Sequence, residues 1–96
     1  MKNVVRQIVN GVREEMYDAI KWGNDFFSFE KDYDHATVTV EGRKVRMVSG
    51  YRFWDVSVLV DHDNDHESPM LEQAVLDALP SYDEVYDEVD SDMRIN

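Results

Sequence analysis

Four carboxylates in the second half of the chain have a spacing that could bind a metal ion. Asp61, Asp63 and Asp65 occupy alternate positions, and Glu72 follows eleven residues after Asp61. Oxygen ligands of this kind suit Ca²⁺, and clustered carboxylates repel one another until a cation neutralises them. The spacing therefore predicts a candidate calcium site formed by Asp61, Asp63, Asp65 and Glu72.

This spacing resembles the calcium-binding loop of the EF-hand family over twelve residues, with Asp61 in the first position and Glu72 in the twelfth. His66 stands where the family has the glycine of its sharp turn, and Ser68 stands where it has an aliphatic residue. A predicted strand precedes the loop, where the family has a helix. Two alternatives stay open. One is an acidic loop leading into a helix N-terminus, where carboxylates are favourable. The other is a transition-metal site through His62 and His66.

Motifs typical of enzymes are not found in the sequence. The chain has no cysteine, which excludes disulfides, a thiolate nucleophile and a thiolate metal site. The sequence also has no nucleophile elbow, no phosphate-binding loop and no recognisable Ser–His–Asp arrangement. We therefore expect no catalytic site and no cofactor apart from the candidate calcium ion. A small enzyme of unknown reaction is the least favoured alternative.

The charge of the chain is −11 and is unevenly distributed. Residues 1–60 carry nine basic and nine acidic side chains, whereas residues 61–92 carry twelve acidic side chains and no Lys or Arg. Such a protein should repel nucleic-acid phosphates and anionic membranes. We expect no direct binding to either, and a basic protein as the partner if charge drives binding. The missing cysteines and the lack of a secretory pattern predict a cytoplasmic protein.

Alternating apolar and polar residues predict an antiparallel meander in the middle of the chain. The alternation covers residues 35–40, 43–49 and 51–60, with β-branched side chains that suit a half-buried sheet. Glu41-Gly42 and Ser49-Gly50 predict the two turns between these strands. If both turns have two residues, one set of side chains forms the inner face: Ala36, Val38, Val45, Met47, Trp54, Val56 and Val58.

Helical patterns flank the meander. An apolar stripe with steps of three and four predicts a long helix over residues 3–22, and a short strand is predicted over 26–30. Pro69 and Pro80 bracket a helix over 69–79. Ser81 and Glu84 form a capping box for a helix over 82–89, with 91–96 frayed. The predicted fold is α+β in one small domain, residues 1–96: a long N-terminal helix, an antiparallel three- to four-stranded β-meander, and one or two C-terminal helices.

Two surfaces are candidates for binding a partner. The predicted outer sheet face interleaves basic and aromatic side chains, and the acidic C-terminal segment mixes carboxylates with apolar side chains. Three covers for the outer face stay open: the chain's own C-terminal helices, a second copy in a homodimer, or another protein. We favour a non-catalytic protein-interaction module, in its sharper version a mimic of nucleic-acid charge towards a basic partner. The candidate partner-binding residues are Lys44, Arg46, Tyr51, Phe53, Tyr82, Asp83, Glu84, Tyr86, Asp87 and Glu88.

Overall fold

The computed structural model describes residues 2–33, 36–62 and 68–95. In chain order its elements are α1 (Lys2–Lys21), β1 (Phe26–Tyr33), β2 (Ala36–Arg46), β3 (Arg52–His62), α2 (Ser68–Ala78) and α3 (Tyr82–Ile95). The strands form one antiparallel sheet in the order β1-β2-β3. The predicted α+β class, with an N-terminal helix, a meander and two C-terminal helices, is confirmed. No helix within these ranges is long and apolar enough to span a membrane.

Helix α1 forms where the sequence has its first apolar stripe. Four side chains of that stripe are buried against the sheet: Ile8, Val12, Met16 and Ala19. Gly23 follows the helix with a φ of 71°, and the Asn24 N–H donates to the Ala19 carbonyl at 2.7 Å, as at many helix C-termini. The ring of Phe29 lies where a Cβ at Gly11 would be, so α1 approaches β1 closely.

The predicted turn at Glu41-Gly42 is wrong, because β2 continues through both residues. Gly42 has no positive φ, unlike Gly50 in the connection between β2 and β3. Its missing side chain instead leaves room for the ring of Phe27, which lies where a Cβ would be. This glycine therefore permits a close contact between neighbouring strands. As a result the sheet has three long strands instead of four.

The connection between β2 and β3 has five residues, 47–51, instead of the predicted two-residue turn at Ser49-Gly50, and the register of the two strands differs by one residue from the predicted one. Lys44 lies opposite Trp54, and Val45 lies opposite Phe53. Val45 is therefore on the outer face and Met47 lies beyond the end of β2, so their predicted place on the inner face is wrong. Side chains of one parity form the inner face in rows across the strands: Phe27, Phe29, Tyr33, Ala36, Val38, Val40, Trp54, Val56, Val58 and Val60.

The helices pack on this inner face and build one hydrophobic core with it. Besides α1, the helical side chains of the core are Val75, Tyr82, Val85 and Val89. The outer face has the other parity, and Phe26 and Leu59 on it are 69% and 63% exposed. The described helices leave Phe26 and Leu59 uncovered, so the alternative in which the C-terminal helices cover the whole outer face is wrong.

Candidate protein-interaction surface

Helix α3 begins with the predicted capping box. The Ser81 hydroxyl accepts from the Glu84 N–H at 3.2 Å and donates to the Glu84 carboxylate at 3.3 Å. The helix covers residues 82–95 and so extends beyond the predicted end at residue 89. One side of the helix is anchored in the core by three buried side chains: Tyr82, Val85 and Val89.

The remaining surface of α3 carries a broad band of carboxylates, here called the acidic ridge: Asp83, Glu84, Asp87, Glu88, Asp90 and Asp92. Asp90 is half-buried and the other five are exposed. At a rise of 1.5 Å per residue, six charges fall within about 14 Å of helix axis. One strand of duplex DNA carries one charge per about 3.4 Å. The linear charge density of the ridge is therefore of the same order as that of a nucleic-acid strand.

A groove of about 360 Å³ lies between the acidic ridge and α1. Two contacts cross it: Arg13 Nη2 donates to Glu88 Oε2 at 2.5 Å, and the Tyr17 hydroxyl donates to Asp92 Oδ2 at 2.6 Å. The two donors are four residues apart on α1, and the two acceptors are four residues apart on α3, which aligns the contacts. The other side chains that line the groove are also acidic: Glu14 and Asp18. The acidic surface therefore extends from α3 onto α1.

The hydrogen bond to Asp92 raises the pKa of Tyr17 to about 12, with smaller contributions from desolvation and from nearby carboxylates. A phenolate at this position would lose the hydrogen bond and face negative charge. The folded protein therefore holds this proton more tightly than the unfolded chain does. The contribution of this raised pKa to stability is therefore complete below pH 10 and is lost as the pH rises from 10 to about 12.

Replacing Tyr17 with phenylalanine is expected to remove the latest step from the alkaline titration of the tyrosines. The measurement is the ultraviolet absorbance of phenolate in the folded protein, compared between wild type and variant. Tyr33→Phe is the control, because burial raises the pKa of Tyr33 as well, and this variant should keep the step near pH 12. A late step that persists in Tyr17→Phe would contradict the assignment.

The predicted basic and aromatic residues lie around the connection between β2 and β3. Lys44 forms an ion pair with Asp25 at 3.0 Å. Arg46 is the last residue of β2, and Tyr51 stacks on Phe53 with ring centroids 6.3 Å apart. The candidate partner-binding residues therefore form two groups on different elements. The hairpin group is Lys44, Arg46, Tyr51 and Phe53, and the helix group is the six candidates on α3.

The two tyrosines of the helix group have different environments. Tyr82 is 6% exposed and packs against Trp54 with ring centroids 5.3 Å apart, so it is a core residue rather than an exposed contact. Tyr86 is 43% exposed and stacks on Tyr82 with centroids 6.2 Å apart. Tyr86 is therefore the tyrosine that offers an aromatic surface beside the acidic ridge.

The candidate calcium site lies largely outside the described residues, because Asp63 and Asp65 fall in the segment 63–67. Asp61 is exposed near the end of β3, and Glu72 is half-buried in α2. Within residues 2–33, 36–62 and 68–95, no group of three or more His, Asp or Glu side chains could hold a metal ion. Calcium binding through Asp61, Asp63, Asp65 and Glu72 stays a prediction.

Two features of this surface and its support were missed by sequence reasoning. The first is the pairing across the groove by Arg13 and Tyr17, whose spacing of four on a predicted helix is the signal that could have found it. The second is an unpaired polar group beneath α3. The Nε1 of Trp54 is buried without a hydrogen-bond partner in the described part of the chain, as is the Tyr33 hydroxyl. No local pattern in the sequence indicates this second feature.

Comparison with known proteins gives no match: no protein-family model, no curated protein and no solved structure is similar to this chain. The geometry and charge of the described residues are therefore the basis for a functional proposal.

Proposed function

We propose that this protein is a non-catalytic interaction module that binds a basic protein through the acidic ridge. The observation that carries the proposal is the band of six carboxylates on a helix that three buried side chains anchor in the core. A helix fixed in this way presents its charges without the ordering cost of a flexible tail. Several Lys and Arg side chains of one partner can therefore be paired at the same time.

Part of the charge on the acidic ridge is available to a partner. Arg13 pairs with Glu88, and Arg94 pairs with Asp90 at 3.2 Å. Two arginines against six carboxylates leave a charge of 2 − 6 = −4 on this surface. Asp83 and Asp87 take part in no ion pair with any described residue. Their charge can therefore be paired by a partner without breaking a contact of this kind.

In the sharper version of the proposal, the acidic ridge mimics nucleic-acid charge towards a protein that handles nucleic acids. Its support is the similar linear charge density of the ridge and a nucleic-acid strand, together with the ordered helix that carries it. The partner would then bind this protein and a nucleic acid in competition. Both interactions weaken as salt screens the charges.

Replacing Asp83 and Asp87 together with asparagine is expected to weaken binding to a basic probe, core histone dimers, roughly fivefold at low salt. Exposed charge pairs are each worth up to about 1 kcal/mol, and 1.4 kcal/mol corresponds to a tenfold change in Kd. Asparagine keeps the side-chain shape and leaves the capping box and the Arg13–Glu88 pair in place. Fluorescence anisotropy of the labelled protein at several salt concentrations measures Kd.

The matched control replaces Glu30 and Glu41 with glutamine, which removes the same number of exposed charges from the outer sheet face. This control should change Kd much less. Equal weakening by both double variants, or no histone binding at low salt, would count against the acidic ridge as the binding surface. Release of the protein from histones by duplex DNA supports charge mimicry, and simultaneous binding of both would exclude it.

A further inference from the structure

The connection between β2 and β3 presents apolar side chains to solvent, and residues 46–52 are here called the hairpin tip. Met47, Val48 and Tyr51 are 49%, 109% and 53% exposed. The backbone that carries them is hydrogen-bonded: the Met47 N–H donates to the Tyr51 carbonyl at 2.7 Å, and the Gly50 N–H donates to the Met47 carbonyl at 2.9 Å. An ordered apolar projection of this kind is typical of a contact surface.

Positive charge surrounds these apolar side chains. Arg46 lies directly opposite Arg52 at the end of the sheet, whereas Arg43, on the outer face, lies opposite Asp55. Like charges placed opposite each other on neighbouring strands are unfavourable. None of the three arginines is in an ion pair with a residue that the structure describes. In a chain of charge −11, the hairpin tip thus carries two arginines and no acidic residue within 46–52.

Helix α3 carries the complementary chemistry. Tyr86 and Met93 are 43% and 59% exposed and lie seven residues apart, which places them two turns apart on the same side of the helix. Asp83 and Asp90 lie three and four residues from Tyr86, so they border one side of this apolar stripe. A surface with apolar side chains bordered by acids thus matches a tip with apolar side chains bordered by arginines.

We propose that the hairpin tip of one copy docks on α3 of a second copy of this chain. The contact places Met47, Val48 and Tyr51 against the stripe of Tyr86 and Met93, with Arg46 and Arg52 on the carboxylates of the acidic ridge. The proposal rests on the proposed function, since it names a second copy as one basic partner of the same ridge. The contact joins two different surfaces, so it closes a dimer where both copies make it reciprocally and otherwise extends into a ring or a chain.

Multi-angle light scattering after gel filtration tests this contact at low salt. The wild-type protein should have a mass above that of the monomer, which falls as salt is added. Arg46→Glu with Arg52→Glu should be monomeric, and so should Asp83→Lys with Asp87→Lys. An equimolar mixture of the two double variants should regain the larger mass, because each then meets the opposite charge on the other. Circular dichroism checks that both variants are folded.

Two further variants keep the test specific. Arg6→Glu with Lys31→Glu changes the net charge by the same amount outside the hairpin tip and should leave the mass unchanged. Val48→Ser changes no charge and should reduce association by removing apolar contact. A monomeric wild type at low salt, a mixture that stays monomeric, or wild-type binding to anionic vesicles without self-association would overturn the proposal.

The hairpin variant also separates this proposal from the proposed function. Arg46→Glu with Arg52→Glu leaves α3 unchanged, so it should still bind histones. Histone binding without any self-association of the wild type would overturn the self-contact alone. A wild type that self-associates but binds no histones would overturn the proposed function and leave the self-contact in place.

Discussion

Replacing Gly42 with alanine is expected to lower the free energy of unfolding by about 2 kcal/mol, the range typical of overpacking. A Cβ at this position would overlap the ring of Phe27. That ring is 4% exposed and meets Trp54 edge-on with centroids 5.1 Å apart, so it has little room to move. Strand propensity alone predicts the opposite sign, because glycine weakens the interior of a strand. Urea denaturation followed by circular dichroism measures the change.

Two further variants test whether overlap with the Phe27 ring causes this loss of stability. Ser57→Ala, on the outer face of the neighbouring strand, should change stability by less than about 0.5 kcal/mol. Adding Phe27→Leu to Gly42→Ala should cost less than the sum of the two single changes, because the smaller side chain relieves the overlap. A Gly42→Ala variant as stable as wild type would show that the ring does not lie over the glycine.

Replacing Trp54 with alanine is expected to cost about 3–5 kcal/mol, since removal of a buried aromatic side chain leaves a cavity. Trp54 is 8% exposed and lies between Phe27 and Tyr82, so it joins the sheet to α3. For a domain of this size, the loss corresponds to a fall in Tm of at least about 12 °C. Thermal unfolding followed by circular dichroism measures it.

Trp54→Phe is the matched variant and should cost well under half as much. Phenylalanine keeps most of the apolar volume and removes the buried N–H that lacks a partner in the described part of the chain. An unpaired buried donor is itself unfavourable, so its removal offsets part of the lost packing. Equal destabilisation by the two variants would mean that the indole N–H has a role that its described surroundings do not explain.

The sequence predicted the element types well because each rests on a simple period. The 3.6-residue period of α1 and the alternation in β3 are visible without knowledge of the rest of the chain. Gly42 is a position where the local sequence pattern is ambiguous. A glycine is compatible with a turn and with a close contact, and Phe27, which needs the space, is fifteen residues away in the sequence. One wrong turn changed the parity of the following residues, which misplaced Val45 and Lys44.

The candidate surface was predictable in part. The acidic composition of α3 and its capping box are local properties, so the sequence revealed them directly. The apolar stripe of α3 also predicted that one side is buried, but a stripe does not say what it packs against. Helix α3 packs beside α1, where Arg13 contacts Glu88 and Tyr17 contacts Asp92. Those contacts join residues 75 positions apart, which no local pattern relates.

Many acidic C-terminal segments are appendages that a protease can trim from an intact domain. In this protein a cut before Tyr82 would withdraw Val85 and Val89 from the interior, so losing the charge would also mean losing part of the hydrophobic core. Proteolytic trimming therefore offers no route to a form with an intact core and without its negative helix. Substitutions at the exposed positions of that helix can change its charge without disturbing the core, whereas substitutions at its buried positions also change the packing.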